Sequence, residues 1–184
     1  LEAIAEANYL CNEYGLDTIS TGSTIACGME LSAAGHLSGG PEFGDAEAMV
    51  NLVRLIGERS GIGSDFGQGS FRLAERHGHP EFSMSVKALE MPGYDPRGIQ
   101  GMGLAYATSN RGACHLRGYM TSAEVLGSPA LIDRFKTDGK ASLTMLLQNI
   151  SAAIDSMVLC RFSQFALNPD HYARLLRSVT NVPF

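Results

Sequence analysis

The strongest pattern in the sequence is a helical repeat of apolar residues in the segment KASLTMLLQNISAAIDSMVLCRF, residues 140–162. Its apolar side chains recur three or four residues apart and share one face of a predicted helix: Leu143, Leu147, Ile150, Ile154 and Val158. A helix that is apolar on one face must bury that face against another element of the fold. The chain therefore has to supply further packing elements, and most of its remaining sequence predicts helices.

Six other segments carry an N-cap residue, a helical period or a glycine stop, and each is predicted to be a helix: residues 1–15, 17–35, 45–61, 64–78, 128–139 and 168–181. Residues 82–96 alternate and end in turn residues, which predicts an extended segment or a short hairpin. The sequence thus predicts a mainly α, multihelical fold with little sheet.

Composition excludes several classes of protein. The 184 residues carry a net charge of −5 with no visible basic face, which argues against a nucleic-acid partner. No apolar run reaches the roughly 18 residues that span a bilayer, and no leader follows Leu1, so a soluble, cytoplasmic protein is expected. Because the chain opens on Leu1 rather than Met, we expect it to be a piece of a longer protein. Three scattered cysteines, Cys11, Cys27 and Cys114, are expected to be buried packing residues.

Residues 93–118 are rich in glycine and hold the most versatile side chains of the chain. His115 can transfer protons near neutral pH, and Arg97, Arg111 and Arg117 can hold phosphate or carboxylate groups. The spacing of GIQGMG is no dinucleotide-binding fingerprint, because no strand–helix unit surrounds it. The residues alone leave two interpretations open: a ligand-binding loop, or a glycine-lined packing region with surface arginines.

Two short stretches share one spacing, and each follows a predicted helix. We call NEYGLD, Asn12 to Asp17, the first corner, and DSMVLC, Asp155 to Cys160, the second corner. Each begins with an acid or amide, has Leu in the fifth position, and ends on a polar or ligating residue. By themselves they are compatible with two ordinary helix ends or with a pair of ligand-holding turns.

Taken together, these stretches resemble the tungsten-dependent aldehyde:ferredoxin oxidoreductases, specifically their two α-helical C-terminal domains. That family carries two copies of a D-x-x-G-L-(C/D) pattern that contact two pterins. The corners are similar to these copies, with Asn12 in an Asp position and Val158 where Gly is usual. Residues 52–75 and 94–119 also resemble the family, and all four stretches occur in the family's order.

The resemblance implies roles for individual residues. His115 matches the active-site histidine, and Cys160 matches the fourth ligand of a 4Fe–4S cluster. The implied cofactor is tungsten, or molybdenum, held by two molybdopterins, and its expected contacts are Asn12, Gly15, Leu16, Asp17, Arg111, Asp155 and Leu159. Arg111 and Arg117 are expected to orient the loop or to neutralise a carboxylate product.

The resemblance also implies an organisation and an activity. Residues 1–160 match part of the family's helical middle domain, and residues 161–184 match the start of its last helical domain. The full-length protein is expected to oxidise aldehydes to carboxylic acids and to pass electrons to ferredoxin or another electron carrier. The N-terminal pterin domain and the other three cluster cysteines are not in this sequence. The fragment alone is therefore expected to bind neither cofactor and to be inactive.

Three alternatives remain beside this interpretation. The chain could be an all-α interaction module without catalytic activity, or a family relative that acts on aromatic acyl thioesters. A thiol enzyme built on Cys114 and His115 is disfavoured, because side chains of adjacent residues point apart.

Overall fold

A computed structural model describes residues 1–183 of the chain. Within them the α helices are α1 Glu2–Tyr14, α2 Thr18–Ala33, α3 Ala46–Glu58, α4 Gly63–Phe66, α5 Ser70–Arg76, α6 Gln100–Thr108, α7 Thr121–Glu124, α8 Lys140–Ser156 and α9 Pro169–Thr180. Two 3₁₀ helices lie at Pro80–Phe82 and Arg161–Phe165. Strands β1, Ser85–Val86, and β2, Leu89–Glu90, form an antiparallel hairpin. The predicted mainly α fold and the predicted hairpin are both confirmed.

The described chain forms two compact units. The first unit consists of Leu1–Asp95 and Tyr106–Cys114, and the second consists of Pro96–Ala105 and the residues from His115 onward. The domain boundary after residue 160 stays a prediction. Among the described residues, no helix has the length and apolar character needed to cross a bilayer.

In the first unit, α1 packs against α3 and α2 packs against α5. Phe66 is among the most deeply buried side chains of this core, and it lies against Gly28 of α2. A Cβ on residue 28 would stand 2.4 Å from the Phe66 ring, so only glycine allows this close approach. Asp17 and Asp45 cap α2 and α3 as predicted, with Oδ1 accepting from the N–H of Ser20 at 2.7 Å and of Ala48 at 2.8 Å.

The three cysteines that were expected to be packing residues are buried. Burial raises the pKa of the Cys27 thiol to about 11, which keeps it neutral and inert at ordinary pH. Burial also raises the pKa of Cys11.

In the second unit, α8 buries Leu147, Ser151 and Ile154 on one face. At its N-terminus the Lys140 ammonium forms a buried ion pair with Glu124, whose Oε1 also accepts the Gly101 N–H at 2.9 Å. Helix α9 starts as predicted, with its N-cap Asn168 accepting from the backbone N–H three residues on.

Two predicted helices differ from the structure. The helix predicted over residues 64–78 is divided into α4 and α5, because Gly69 adopts φ 89° and interrupts the helical backbone. The helix predicted over residues 128–139 is absent. There the Ile132 N–H bonds to the carbonyl of Ala123 at 3.1 Å, and Asp133 accepts from the Phe135 N–H at 2.9 Å. These bonds replace the helical ladder.

The predicted apolar stripe of α8 also ends earlier than expected. Val158 lies beyond the helix, has φ 58° and is 92% exposed, so it contributes nothing to the buried face.

Candidate functional site

The first corner is a helix end followed directly by a helix start. Gly15 lies in the left-handed region, with φ 68° and ψ 32°. Its N–H bonds to the Asn12 carbonyl at 3.3 Å, and the Leu16 N–H bonds to the Cys11 carbonyl at 2.8 Å. These two bonds define a Schellman motif. Asp17 then becomes extended, with φ −67° and ψ 123°, and caps the next helix.

The second corner has the same backbone. Val158 takes the left-handed position with φ 58°, and its N–H bonds to the Asp155 carbonyl at 2.9 Å. The Leu159 N–H bonds to the Ile154 carbonyl at 3.4 Å, which completes the second Schellman motif. Cys160 is extended, with φ −62° and ψ 130°, and precedes the second 3₁₀ helix. The spacing shared by the two sequences is therefore matched by a shared conformation, position by position.

A cavity of about 450 Å³ at the end of α2 is lined by no residue of the first corner, and a smaller one of about 330 Å³ adjoins that corner. The walls of the smaller cavity combine apolar residues, such as Leu16 and Phe66, with polar ones, such as Asp17, Ser20, Thr24 and Glu90. Glu90 is buried, and its Oε1 accepts from the N–H and the hydroxyl of Ser70 at 2.8 and 3.0 Å. Asp17 uses only Oδ1 for its capping bond. The first corner thus presents a carboxylate to a cavity that has both polar and apolar walls.

The second corner combines an exposed thiol with charged side chains. Cys160 is exposed, and the Asp155 carboxylate forms an ion pair with Arg117. Arg161, the residue after the thiol, is only 3% exposed, and its Nε donates to the Ser151 hydroxyl at 2.8 Å. Burial lowers the pKa of the Arg161 guanidinium.

The glycine-rich loop is held by different partners on its two sides. In the first unit, the Lys87 ammonium donates to the carbonyls of Ser109 and Asn110 at 3.0 and 3.2 Å. Arg111 donates to the Cys114 sulfur at 2.7 Å, so this guanidinium has a partner in its own loop. In the second unit, the Ser151 hydroxyl lies 2.9 Å from the Leu116 carbonyl.

The predicted site residues divide between the two units. Those of the first unit are Asn12, Gly15, Leu16, Asp17 and Arg111, and those of the second are His115, Asp155, Leu159 and Cys160. Leu16 and Asp17 lie together at the cavity of the first corner. The Asn12 side chain donates to the Asn8 carbonyl at 2.9 Å. The His115 ring lies in an edge contact with Tyr119, at a centroid distance of 6.3 Å. The roles assigned to these residues stay predictions.

Sequence reasoning did not single out Ser151, Arg161 or the Lys140–Glu124 pair. Ser151 carried a usable signal, since it interrupts the apolar stripe between Leu147 and Ile154 at a position that must be buried. Residues 1–183 contain no group of three or more His, Cys, Asp and Glu side chains placed to hold a metal ion.

Comparison with known proteins gives a consistent result. The family model described as aldehyde ferredoxin oxidoreductase, domains 2 and 3, matches residues 1–184. A tungsten-containing aldehyde ferredoxin oxidoreductase of Pyrococcus furiosus is 47% identical over 192 aligned positions, which cover 100% of this chain and 32% of the relative. The protein of the same name from Thermococcus kodakarensis is 46% identical, with coverages of 100% and 32%.

A more distant relative is the WOR-like subunit of an aliphatic sulfonate oxidoreductase of Pyrococcus furiosus. It is 36% identical over 78 residues, which cover 40% of this chain and 12% of that protein. The chain spans about a third of the length of the curated relatives that match it throughout.

Proposed function

The chain belongs to the aldehyde ferredoxin oxidoreductase family, and we propose that it is a helical part of a bis-molybdopterin enzyme containing tungsten or molybdenum and a 4Fe–4S cluster. The whole enzyme oxidises aldehydes to carboxylic acids and passes the electrons to ferredoxin or a similar carrier. The observation that carries this proposal is the common backbone of the two corners, because it presents Asp17 and Cys160 in equivalent positions.

The first corner suits a heterocyclic ligand rich in N–H groups. Asp17 borders the cavity of about 330 Å³, and its Oδ1 accepts one backbone N–H while Oδ2 has no partner among the described residues. A carboxylate is the strongest acceptor that a protein offers to ring N–H and amino groups. Leu16 lines the same cavity and supplies an apolar wall. A carboxylate acceptor beside an apolar wall fits one pterin.

The second corner suits iron–sulfur chemistry. Its thiol is exposed at the end of a structured turn, and thiolate is the ligand that iron–sulfur clusters take. Asp155 stands five residues earlier and forms an ion pair with Arg117. We assign Asp155 and Leu159 to the second pterin and Cys160 to the cluster.

When bound, the metal and its pterins supply the two-electron chemistry that no side chain of this chain can perform. The contribution of the chain is to place a proton carrier and to bind the cofactors. His115 is half-buried and packs against Tyr119, and one of its ring nitrogens, Nδ1 or Nε2, accepts or returns a proton during turnover.

Metal analysis of the full-length protein tests the proposal. We expect tungsten or molybdenum, four irons and pterin in the purified protein, and we expect Cys160→Ala to lose or convert the cluster, because it lacks one thiolate ligand. Iron content and electron paramagnetic resonance give the measurement, and Cys11→Ala, which removes a buried thiol of the first unit, is the control.

Two outcomes would contradict the proposal. An unchanged four-iron signal in Cys160→Ala would refute the ligand assignment. A full-length protein without metal or pterin would favour an all-α interaction module instead.

A further inference from the structure

We propose that Ser151 is a positioning residue that couples the segment carrying His115 to the second corner. The inference rests on the roles proposed above for His115 and Cys160. Helix α8 then not only packs in the core but also holds His115 and Cys160 in a fixed relative position.

One buried oxygen bonds to both segments, in addition to the ion pair that joins Arg117 to Asp155. The Ser151 side chain is 0% exposed, and its Oγ lies 2.8 Å from Arg161 Nε and 2.9 Å from the Leu116 carbonyl oxygen. Leu116 directly follows His115, and Arg161 directly follows Cys160. The Ser151 hydroxyl therefore accepts a hydrogen bond from Arg161, which follows Cys160. It donates to the carbonyl of Leu116, which follows His115.

The geometry of the hydroxyl makes this link sensitive to Arg161. Ser151 Oγ is also 2.8 Å from the Leu147 carbonyl, so its one proton is shared between that carbonyl and the carbonyl of Leu116. The charged guanidinium donor polarises the hydroxyl and strengthens the bonds that it donates. The loss of Arg161 should thus weaken the bond between Ser151 and the Leu116 carbonyl, although Arg161 does not itself touch that carbonyl.

Ser151 is the hydrogen-bond partner on which the Arg161 side chain relies among the described residues. Arg161 is buried, and its Nη1 and Nη2 have no hydrogen-bond partner there. Without the Ser151 hydroxyl, Nε would join them as a third unsatisfied donor nitrogen, and a buried donor without a partner is costly. The position of Arg161, and with it the backbone that follows Cys160, therefore depends on Ser151.

Ring contacts join the same two segments independently. The buried Tyr119 ring lies 6.3 Å from the His115 ring and 6.4 Å from the rings of both Phe162 and Phe165. Both phenylalanines belong to the 3₁₀ helix that follows Cys160. These contacts keep the segments together when Ser151 is changed. A Ser151 variant should therefore fold and lose only the fixed relative position of the two segments.

Hydrogen–deuterium exchange on the full-length protein tests the coupling. We expect Ser151→Ala and Arg161→Met each to accelerate exchange in a peptide covering residues 112–119 by roughly tenfold, because both break the charge-assisted hydrogen bond between Arg161 and Ser151. The double variant should exchange no faster than Ser151→Ala, since both changes break one pathway. Ser178→Ala is the control, because its hydroxyl also bonds a carbonyl four residues earlier in a helix, at 2.8 Å, but is exposed.

Turnover gives a second readout that loss of packing alone would not produce. At unchanged metal content, Ser151→Ala should lower kcat and shift the pH dependence of kcat, while KM for the aldehyde stays within about twofold. A lower kcat with a nearly unchanged KM indicates a misplaced proton carrier rather than a damaged substrate pocket.

The inference would be overturned if Arg161→Met left exchange in residues 112–119 unchanged. It would also be overturned if Ser178→Ala accelerated that exchange equally. If Arg161→Met does not fold, Ser151→Ala decides alone through the peptides covering residues 112–119 and 157–163, which must both accelerate. A full-length protein without metal would refute the proposed function, whereas normal metal and turnover without exchange coupling would refute only the role of Ser151.

Discussion

The left-handed residue in each corner allows a paired stability experiment. Gly15 and Val158 occupy the same backbone position, with φ 68° and φ 58°, but only the first is glycine. A Cβ on residue 15 would meet no atom within 4 Å, and the Val158 side chain is 92% exposed. Packing therefore contributes little at either site, and backbone strain decides the effect of a substitution.

The two expected changes are opposite in sign. A residue with a Cβ in the left-handed region costs about 1–2 kcal/mol, and the upper value suits a β-branched side chain. Replacing Gly by Ala gives back about 0.4–1 kcal/mol, because alanine leaves the unfolded chain less freedom, and replacing Val by Gly costs a comparable amount. We therefore expect Gly15→Ala to destabilise the first unit by about 1 kcal/mol, and Val158→Gly to stabilise the second unit by about 1 kcal/mol.

Both changes can be measured by urea unfolding of the 184-residue chain. Pulsed hydrogen exchange then gives a separate unfolding midpoint for each unit. Gly22→Ala is the matched control. Residue 22 also has open space around its Cβ position but lies inside α2, where alanine should stabilise by about 1 kcal/mol. If Gly15→Ala stabilised the chain as Gly22→Ala does, the argument from backbone strain would be refuted.

Two further predictions concern a proton carrier and a buried charge. His115→Asn in the full-length protein should retain its metals but lower turnover by about 10²–10⁴-fold, because general acid–base help is lost; unchanged turnover would remove His115 from the mechanism. Lys140→Met should destabilise the second unit by about 3–5 kcal/mol in urea, because it leaves the buried Glu124 carboxylate without a counter-charge. The double variant Lys140→Met/Glu124→Leu should recover most of that loss, and a single-variant cost below about 1 kcal/mol would indicate a weak, surface-like pair.

The sequence predicted well those helices whose ends are defined by neighbouring residues. Asp17 and Asp45 cap α2 and α3 through bonds to backbone N–H groups three residues ahead, and Asn168 does the same for α9. Such signals lie within one helical turn and can be recognised without knowing the fold.

Predictions failed where distant partners decide the local structure. Residues 128–139 begin with a serine and a proline, which suit a helix start, but Ile132 bonds to Ala123 instead. In the same way, α5 begins where buried Glu90 of the hairpin accepts the Ser70 N–H. The sequence contains both partners but does not indicate that they meet.

The same distinction applies to the candidate site. The spacing of the corners predicted two equivalent turns, because a Schellman motif is a local structure with recognisable positions. The ion pair of Asp155 with Arg117 and the Ser151 link to Leu116 and Arg161 join different segments of the second unit, and only coordinates reveal them.

The two corners also show how one backbone conformation can end on different side chains. In each, the Schellman bonds are made by the main chain, so the turn itself does not fix the final side chain, which is the α2-capping carboxylate of Asp17 in one and the thiol of Cys160 in the other. The first residue of each corner differs in charge and in hydrogen-bond partner. Asp155 is charged and faces Arg117, whereas Asn12 is neutral and donates to a carbonyl of its own helix. An amide in the first corner therefore needs no cation beside it, and the loss of the acid there leaves the turn intact.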